Sequence, residues 1–531
     1  MNHLSYWQLI WQRYKKHPSG MCALVVLAIF FLIAAYAPFL ASSKPLYVVY
    51  DDHIYFPLFR YLLSSSFYTK KIDLFFNLIG LFLPLYGALF LWLKRYLKIA
   101  SLILMITFVG LFTYCGFFKV LDPALSAHLE QQKQARILQM DIDPRKPYQL
   151  PSWDFELQYA NDYAKLNIVL KQWILRSQHA AIVQALDNPA FAPPTIFQLQ
   201  EERQQKELEE LKRGVEAGKE RYLANRKEEE ELNKSSGKLS PKALQRLSLL
   251  EEENRDFEEL QNRYHYLLDK RAWIDRQLKL VRSIQMPLVR SHHWEDDVGG
   301  EQSLNLKLPF MELSRINRKD LTAALIFGSR ISLFVGIAAT ALALLIGVPL
   351  GLLSGYYGSK FDMLVCRFVE VWEAMPVFFM LLLIVAITQT KSIFVVIAVL
   401  SVFSWMSAFR FVRAEAFRQR EMLYVDATRA LGFTSSRILL VHILPNSILA
   451  VLALLPFDIM GAVTREAGLA FLGLGEEQSC SWGVLMDEGR SAFPAESNLL
   501  WPPAIVLTLL LISIAFVGQS LQEAMDPKSQ N

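Results

Sequence analysis

The residues that could carry out catalysis give the first constraint on this 531-residue chain. Neither the HExxH pattern of zinc proteases nor the GxSxG pattern of serine hydrolases is present. The sequence Gly358-Ser359-Lys360 lacks the spacing of a phosphate-binding loop and adjoins an apolar segment. We therefore expect a protein that is not an enzyme, that has no cofactor of its own, and that depends on another chain wherever ATP is used.

Metal-ligating residue types occur together only in the run HHWEDD at 292–297. Adjacent side chains rarely converge on one ion, and no distant third ligand is evident in the sequence. The four cysteines are widely separated and form no CxxC pair. We expect a polar surface loop at 292–297, no metal site and no disulfide framework.

Ionisable residues inside long apolar segments form a second group with functional potential, because a charge in a membrane is costly. Six such residues are Arg367, Glu370, Glu373, Asp458, Arg465 and Glu466. Arg367 and Glu370 are three residues apart on a helix and are expected to pair. Adjacent Arg465 and Glu466 must point to different faces. The six charges are expected either to pair across an interface with a partner subunit or to line a solute path.

The composition predicts the kind of protein in which these residues lie. Hydrophobic residues make up 53% of the chain, and charged residues are concentrated in one block, with 37 of the 80 residues in 201–280 against 69 of the other 451. This distribution predicts a membrane protein with one soluble, charge-rich segment, and it excludes an ordinary soluble enzyme, a collagen-like chain and a wholly disordered protein. The net charge of +4 is small and dispersed, which does not favour nucleic-acid binding.

Eight segments are apolar for roughly the 20 residues that a membrane helix needs. They are 21–41, 74–93, 99–118 and about 328–357, 362–389, 392–412, 447–472 and 500–520. The first is too long for a signal-peptide core and is expected to be an anchor. Basic residues precede it, occupy the turn at 94–98 and recur in the loop at 413–446. The excess of basic residues in cytoplasmic loops then places both termini inside and residues 119–327 outside.

The outer segment contains the charge-rich block. Residues from about 195 to 285 show seven-residue apolar spacing on both sides of the breaker KSSGKLSP at 234–241. The short breaker predicts an antiparallel α-helical coiled-coil hairpin rather than one continuous rod. Two interpretations remain open for it, a solvated coiled coil without chemistry and a docking arm for a partner outside the membrane.

The most informative segment is the cytoplasmic loop at 424–446, which reads YVDATRALGF at 424–433 and HILPN at 442–446. Ala427, Ala430 and Leu431 share one face of a short predicted helix. Gly432 suits the left-handed position that ends a helix. We expect the residues at 434–435 to cap the next helix and Pro445 to bend it. This arrangement predicts a rigid projection on the cytoplasmic face that is able to transmit force from a partner.

The loop resembles the EAA loop of ABC-importer permeases, whose pattern is roughly EAA-x3-G-x9-I-x-LP. Asp426 stands for the usual Glu and Thr428 for the second Ala, and His442 stands where the pattern has Ile, so that Ile443 is one place late. The spacing from Asp426 to Gly432 and on to the Leu-Pro pair at 444–445 is intact.

Further motifs are similar to the C-type permease of oligopeptide and dipeptide importers. They are GSRISL at 328–333, GVPLG at 347–351, GYYG at 355–358, FLGLG at 471–475, SWG at 481–483, Asp526-Pro527, Lys16-His17-Pro18 and Ala37-Pro38. The resemblance covers about 315–528 and 10–41. The hairpin at 74–118 and the coiled-coil arm depart from the common pattern, as does the stretch before Gly328, where only Arg318-Lys319-Asp320 matches.

The resemblance implies an all-α membrane protein with a type I ABC-importer permease core at 328–531, preceded by the anchor in 1–41, the additional membrane hairpin and the outer insert. It implies location in the bacterial inner membrane and partnership with a homologous second permease, two cytoplasmic ATPase subunits that bind ATP, and an extracytoplasmic peptide-binding protein. The residues implied to couple to the ATPases are Asp426, Ala427, Arg429, Ala430, Leu431 and Gly432, with Ile443, Leu444 and Pro445 at the loop exit.

Two other classes remain as alternatives. A membrane-anchored coiled-coil receptor or scaffold would explain 195–285 but leaves the EAA-like loop without a role. A secondary transporter would need coupling charges at the membrane midplane and no ATPase partner. Co-purification separates them, because only an ABC permease is expected to retain two ATPase subunits.

The predicted topology is testable by cysteine labelling in a background without the four native cysteines. We expect an impermeant thiol reagent added outside the cell to label Ser236→Cys in the outer segment. Ser435→Cys should be labelled only after the membrane is opened. Labelling of Ser435→Cys in intact cells would contradict the orientation.

Overall fold

The computed structural model describes residues 6–42, 44–64, 71–92, 97–118, 120, 162–185, 196–234, 240–289, 315–316, 319–388, 391–476, 479–491 and 500–525. Several features of the sequence lie outside these residues: the HHWEDD run at 292–297, the basic residues at 94–95, most of the breaker at 234–241, Arg318, and the tail at 526–531.

The described chain is predominantly helical. The helices are α1 Tyr6–Tyr14, α2 Pro18–Ala35, α3 Ala37–Leu40, α4 Pro57–Tyr61, α5 Lys71–Trp92, α6 Leu97–Phe117, α7 Asp162–Ala185, α8 Ile196–Lys234, α9 Pro241–Lys279, α10 Leu321–Tyr357, α11 Ser359–Glu373, α12 Val377–Thr388, α13 Ile393–Arg420, α14 Leu423–Ala430, α15 Ser435–Arg437, α16 Leu444–Leu452, α17 Leu455–Leu469, α18 Trp482–Ser491 and α19 Trp501–Met525. Two π-helical turns, Ile438–Ile443 and Ala470–Leu474, precede α16 and follow α17. The strands are β1 Tyr47–Tyr50, β2 His53–Tyr55, β3 Val281–Gln285, β4 Arg315–Ile316 and β5 Lys319–Asp320.

Six described helices are long and apolar enough to cross a membrane without interruption, namely α2, α5, α6, α10, α13 and α19. The pair α11 and α12 adds a seventh segment that is bent by 73°. The segment at 447–472, which the sequence predicted as one span, is divided between α16 and α17. The count of about eight spans therefore becomes six continuous helices, one bent pair and one broken segment.

Both interruptions lie beside a proline. Pro376 lies three residues beyond the end of α11 and directly before α12, and Pro456 is in the first turn of α17. Proline has no backbone N–H to donate to the preceding turn, and it disfavours helical geometry in the residue before it. The segments at 362–389 and 447–472, which were predicted as spans, therefore each contain an interruption in the helix.

The closest packing in the core joins α10 to α13. Gly347, Gly351 and Gly355 form one row on α10, and a Cβ at Gly351 or Gly355 would lie 2.7 Å from the carbonyl oxygen of Phe409 or 2.6 Å from that of Arg413. Small residues at such spacing let two membrane helices approach backbone to backbone. The row therefore fixes α13 against α10 along most of its length.

A buried charge joins three of the membrane helices. Arg330 on α10 is fully buried and donates hydrogen bonds to the carbonyl oxygen of Ala34 on α2 at 2.7 Å, to Asp73 Oδ1 at 3.0 Å and to Asn77 Oδ1 at 2.9 Å, the last two on α5. Its guanidinium also lies over the rings of two phenylalanines, 5.1 Å and 5.6 Å from their centres. The additional hairpin α5–α6 is therefore attached to the permease-like core through Arg330.

The helices of the charge-rich block, α8 and α9, pack against each other in antiparallel directions. Arg246 near the start of α9 contacts Glu228 near the end of α8 at 2.9 Å, and Arg263 contacts Glu207. Phe257 and Leu260 of α9 pack over Gly218 and Gly214 of α8. The two glycines that weaken the helical pattern in the sequence thus make room for large side chains on the partner helix.

The base of this hairpin is held by a small outer unit. Strand β1 pairs antiparallel with both β2 and β3, and β3 directly follows α9. Val48, Tyr50 and Trp273 are buried in one cluster with apolar residues of α7. Burial, together with the charges of Asp51 and Asp162, raises the pKa of Tyr50 to about 12. Its hydroxyl therefore stays neutral and donates a hydrogen bond to Gln277 on α9.

The Arg330 network predicts that Asp73→Ala is strongly destabilising, because the guanidinium keeps its burial and loses its carboxylate. The expected loss is roughly 3–5 kcal/mol, read as a lower unfolding temperature of the detergent-solubilised protein. The control is Asp275→Ala on α9, which removes an exposed pair with Arg176 and should cost at most about 1 kcal/mol. Equal effects of the two substitutions would contradict this account.

Candidate functional site

The loop at 424–446 begins with the short helix α14, whose C-terminus is closed by a glycine. The amide of Gly432 donates to the carbonyl of Arg429 at 2.9 Å, and the amide of Phe433 donates to the carbonyl of Thr428 at 3.1 Å. This pair of bonds is the Schellman motif, which requires a left-handed residue between the helix and its last donor. Gly432 has φ +77°, which confirms the conformation expected from the sequence.

One face of α14 is fixed against the core. Val425 is fully buried and Thr428 nearly so. Val425 packs in a cluster that includes Tyr356 at the end of α10, Val412 of α13 and Ile443 of the π-helical turn. A helix of only eight residues is marginal alone, so this burial supplies its stability.

The opposite face of α14 is apolar and exposed. Leu423 is 86% exposed and Leu431 is 72% exposed, and Ala427 and Ala430 are exposed between them. The sequence predicted a shared small apolar face for Ala427, Ala430 and Leu431, and the structure turns that face outward. We call these four residues the α14 apolar face.

The charges of α14 lie beside this face and are paired with each other. Arg429 contacts Asp426 at 3.1 Å, and its guanidinium lies 5.6 Å from the centre of the Tyr356 ring. Both charged side chains are substantially exposed, so the ion pair orients the two groups more than it stabilises the fold.

The exit of the loop differs in part from the sequence prediction. Thr434 occupies the cap position of α15, but its hydroxyl makes no capping hydrogen bond. The chain then widens into the π-helical turn, with Ile443 buried, before Leu444 and Pro445 begin α16. Pro445 has no backbone N–H, so it cannot donate a hydrogen bond to the preceding turn. The wider π-helical turn accommodates this missing hydrogen bond while the chain remains helical.

Polar contacts connect α14 with the inner end of α13. The hydroxyl of Tyr424 donates to Gln419 at 2.7 Å, and Gln419 in turn donates to Glu415 at 2.6 Å. Further along α13, Arg413 forms a two-bond ion pair with Asp362 of α11, which also accepts from Ser354 of α10. The pairing of Asp362 with Arg413 was not predicted, because its signal in the sequence is only an acidic and a basic residue near the ends of two apolar segments.

Three of the predicted intramembrane charges belong to α11. Arg367 and Glu370 form the expected pair at 2.7 Å, and both are exposed. Glu373 pairs with Arg410 of α13, a residue that the sequence analysis did not include. All three of these predicted charges are therefore paired within the chain.

The other three charges belong to α17 and diverge as predicted. Asp458 accepts a hydrogen bond from Ser407 at 3.2 Å, and Arg465 donates to Ser404 at 2.5 Å, both serines being on α13. Glu466 faces the other way, is buried, and accepts from Ser481 at 2.6 Å. Glu466 thereby holds the SWG segment, where Trp482 is fully buried and donates to the carbonyl of Leu325 at 3.0 Å.

Two protein families match separate parts of the chain. The N-terminal TM domain of oligopeptide transport permease C matches residues 5–57, and the binding-protein-dependent transport system inner membrane component matches residues 347–531. The additional hairpin at 74–118 and the charge-rich block at 201–280 lie between these two matches, whereas α14 lies inside the second.

Individual relatives agree with these families. The chain is 34% identical over 40% of its length to the oligopeptide transport system permease protein OppC of Haemophilus influenzae, of which it covers 68%. It is 38% identical over 40% of its length to the peptidoglycan transport system permease protein YejE of Agrobacterium fabrum, and the match spans only 55% of that relative. A chain of the MetNI methionine ABC transporter in an inward-facing conformation superposes with a TM-score of 0.31 at 16% identity, covering 39% of this chain and 98% of that one.

The loop geometry, the apolar helices and the match to most of the length of a C-type permease agree with one another. The chain belongs to the C-type permeases of peptide ABC transporters, a family of multi-pass inner-membrane proteins.

Proposed function

We propose that this chain is a permease subunit of an ATP-driven ABC importer and forms half of a translocation path for peptides. A homologous second permease forms the other half, two cytoplasmic ATPase subunits bind and hydrolyse ATP, and an extracytoplasmic binding protein delivers the peptide. Both termini and α14 lie on the cytoplasmic side in this proposal. Its support is the family membership together with the surface of α14.

The observation that carries the proposal is the exposed α14 apolar face on a rigidly held helix. Large apolar side chains seldom cluster on a water-exposed protein surface unless a partner covers them. The basic residues of the loop that contains α14 predict that this surface faces the cytoplasm. The buried residues of the same helix, Val425 and Thr428, prevent it from turning that face inward. A helix that is fixed on one side and apolar on the other suits docking to an ATPase subunit.

The connection from α14 to the membrane core supports a coupling role. Tyr424 and Gln419 join α14 to α13, and α13 is in turn packed backbone to backbone on α10. A displacement of α14 by an ATPase would therefore move α13 as a unit. The function of a scaffold or of a secondary transporter does not require an exposed apolar helix that is rigidly connected to the membrane helices.

The first test places a charge on the α14 apolar face. Because Leu431 is mostly exposed, Leu431→Asp should leave the fold intact and remove roughly 1.5–3 kcal/mol of apolar burial at the docked surface. We expect retention of the ATPase subunits during purification to fall at least about tenfold. Leu244→Asp on the hairpin is the matched control, since Leu244 is also an exposed leucine. Full retention by Leu431→Asp would argue against docking at this face.

The second test concerns the end of α14. A Cβ at Gly432 would meet nothing within 4 Å, so a substitution there acts only through the backbone. Valine resists positive φ, at a cost of roughly 1–2 kcal/mol, whereas asparagine adopts it more readily. We expect Gly432→Val to lower ATP-dependent peptide uptake into vesicles roughly tenfold and Gly432→Asn to retain most of it, at equal amounts of inserted protein. Equal uptake by both variants would contradict a coupling role for this turn.

A further inference from the structure

Helix α1 is held against the membrane core by one buried face. Ile10 and Tyr14 are buried in a cluster with Ala524 of α19. The hydroxyl of Tyr14 donates a hydrogen bond to the carbonyl of Gly20 at 2.9 Å, which ties α1 to the first turn of α2. Because α2 is an apolar span that begins at Pro18, these contacts fix α1 at the level where a membrane helix starts.

The exposed side of this region carries a tryptophan and two lysines. Trp11 of α1 is exposed, and Lys15 and Lys16 are exposed directly after α1 ends. The ring of Trp11 stacks on Tyr14 with 5.9 Å between ring centres, and Lys15 Nζ lies 5.2 Å from the centre of the Trp11 ring. The buried Tyr14 thus orients Trp11, which in turn orients Lys15. We call Trp11, Lys15 and Lys16 the α1 basic face.

The charge of the α1 basic face is not balanced by a salt bridge. Neither Lys15 nor Lys16 forms one with a residue that the structure describes, and residues 1–50 contain no Asp or Glu. Glu523 of α19 contacts His17 at 3.1 Å rather than either lysine. An ammonium group has three N–H donors, so both lysines keep donors for an anionic partner.

An exposed apolar stripe on α2 follows the basic face along the chain. Val25, Ile29 and Leu32 are exposed, and their spacing of four and three residues places them on one side of α2. An acidic soluble protein that bound the lysines would leave this stripe uncovered. A phospholipid supplies both kinds of contact, because its phosphate lies at the membrane surface and its acyl chains extend along the spans.

We propose that the α1 basic face binds the headgroup of an anionic phospholipid, with Lys15 and Lys16 donating hydrogen bonds to the phosphate. Trp11 lies in the interfacial layer, which suits a side chain with an apolar ring and a polar N–H. A zwitterionic headgroup carries its own ammonium group beside the phosphate, so the lysines favour a headgroup with a net negative charge. The inference goes beyond the proposed function, because it depends on the place of α1 beside a span and not on the solute carried.

The proposed contact is exposed and electrostatic, and therefore depends on salt. The distance over which exposed charges interact falls from about 10 Å at 0.1 M salt to about 3 Å at 1 M. A purely apolar contact of Trp11 with the membrane has no such dependence on ionic screening. Salt thus separates binding of the charged headgroup from simple insertion of the tryptophan ring.

The test measures the lipid beside α1 in the full chain, purified with the subunits that accompany it and placed in nanodiscs. Gln12→Cys, in a background without the four native cysteines, carries a fluorophore at an exposed position of α1. Brominated phosphatidylglycerol, or brominated phosphatidylcholine with the same acyl chains, replaces unbrominated phosphatidylcholine stepwise and quenches the label. We expect half-maximal quenching at a roughly tenfold lower mole fraction of phosphatidylglycerol than of phosphatidylcholine. This preference should fall at least about threefold in 1 M salt.

Two double variants identify the residues responsible. Lys15→Gln with Lys16→Gln should make the two lipids quench equally, and should unfold at the wild-type temperature because both lysines are exposed. Lys219→Gln with Lys227→Gln on α8 is the matched control, since it also removes two exposed lysines and should keep the preference.

The other outcomes overturn the lipid site. They are an equal response of the wild type to the two lipids, a preference that survives 1 M salt, and a preference retained without Lys15 and Lys16. Release of an accompanying subunit by the Lys15→Gln, Lys16→Gln variant, with its lipid preference unchanged, would assign the face to a protein partner instead. Quenching does not depend on peptide uptake, so a failure of the proposed function would leave this result unaffected.

Discussion

The burial of Arg330 constrains the whole membrane core. A guanidinium that is removed from water must find fixed acceptors, and here they come from α2 and α5, far from α10 in sequence. The helix pair α5–α6 is outside the parts of the chain that match the permease families, yet its Asp73 supplies a carboxylate to Arg330. The additional hairpin is therefore part of the core's electrostatic balance rather than an appendage that could be removed without cost.

The outer insert is accommodated in a different way, by closing its own ends. Strand β3 returns from the α8–α9 hairpin to pair with β1, and Val289 bridges to Ala41 just after α3. The chain that follows the hairpin is thus brought back beside the end of α3. Backbone pairing at the base and the buried cluster around Trp273 hold the hairpin, so its length is free to vary without moving α10.

Features that depend on neighbouring residues in the sequence could be predicted, whereas contacts between side chains of distant segments could not. The left-handed Gly432 and the Arg367–Glu370 pair depend on residues within one or two turns, so the sequence alone was sufficient for both. The contacts of Arg330 with Asp73 and of Glu373 with Arg410 join distant segments, and no spacing rule brings such residues together. A proline alone did not predict where a helix breaks. Pro84 and Pro349 lie inside helices, whereas Pro376 and Pro456 adjoin breaks. Packing around the proline, rather than the residue type, decides between a continuous and a broken helix.

Helix α13 connects the α14 apolar face with the polar residues of the core. Its C-terminal end contacts Tyr424 of α14, its C-terminal third holds Asp362 through Arg413, and its middle presents Ser407 to Asp458. Because the glycine row of α10 fixes α13 at backbone distance, α13 and α10 can move only together. Relative movement must then occur at the bent junction of α11 with α12 and at the break between α16 and α17. The second of these adjoins Asp458, so a movement imposed on α14 would be taken up where α17 begins.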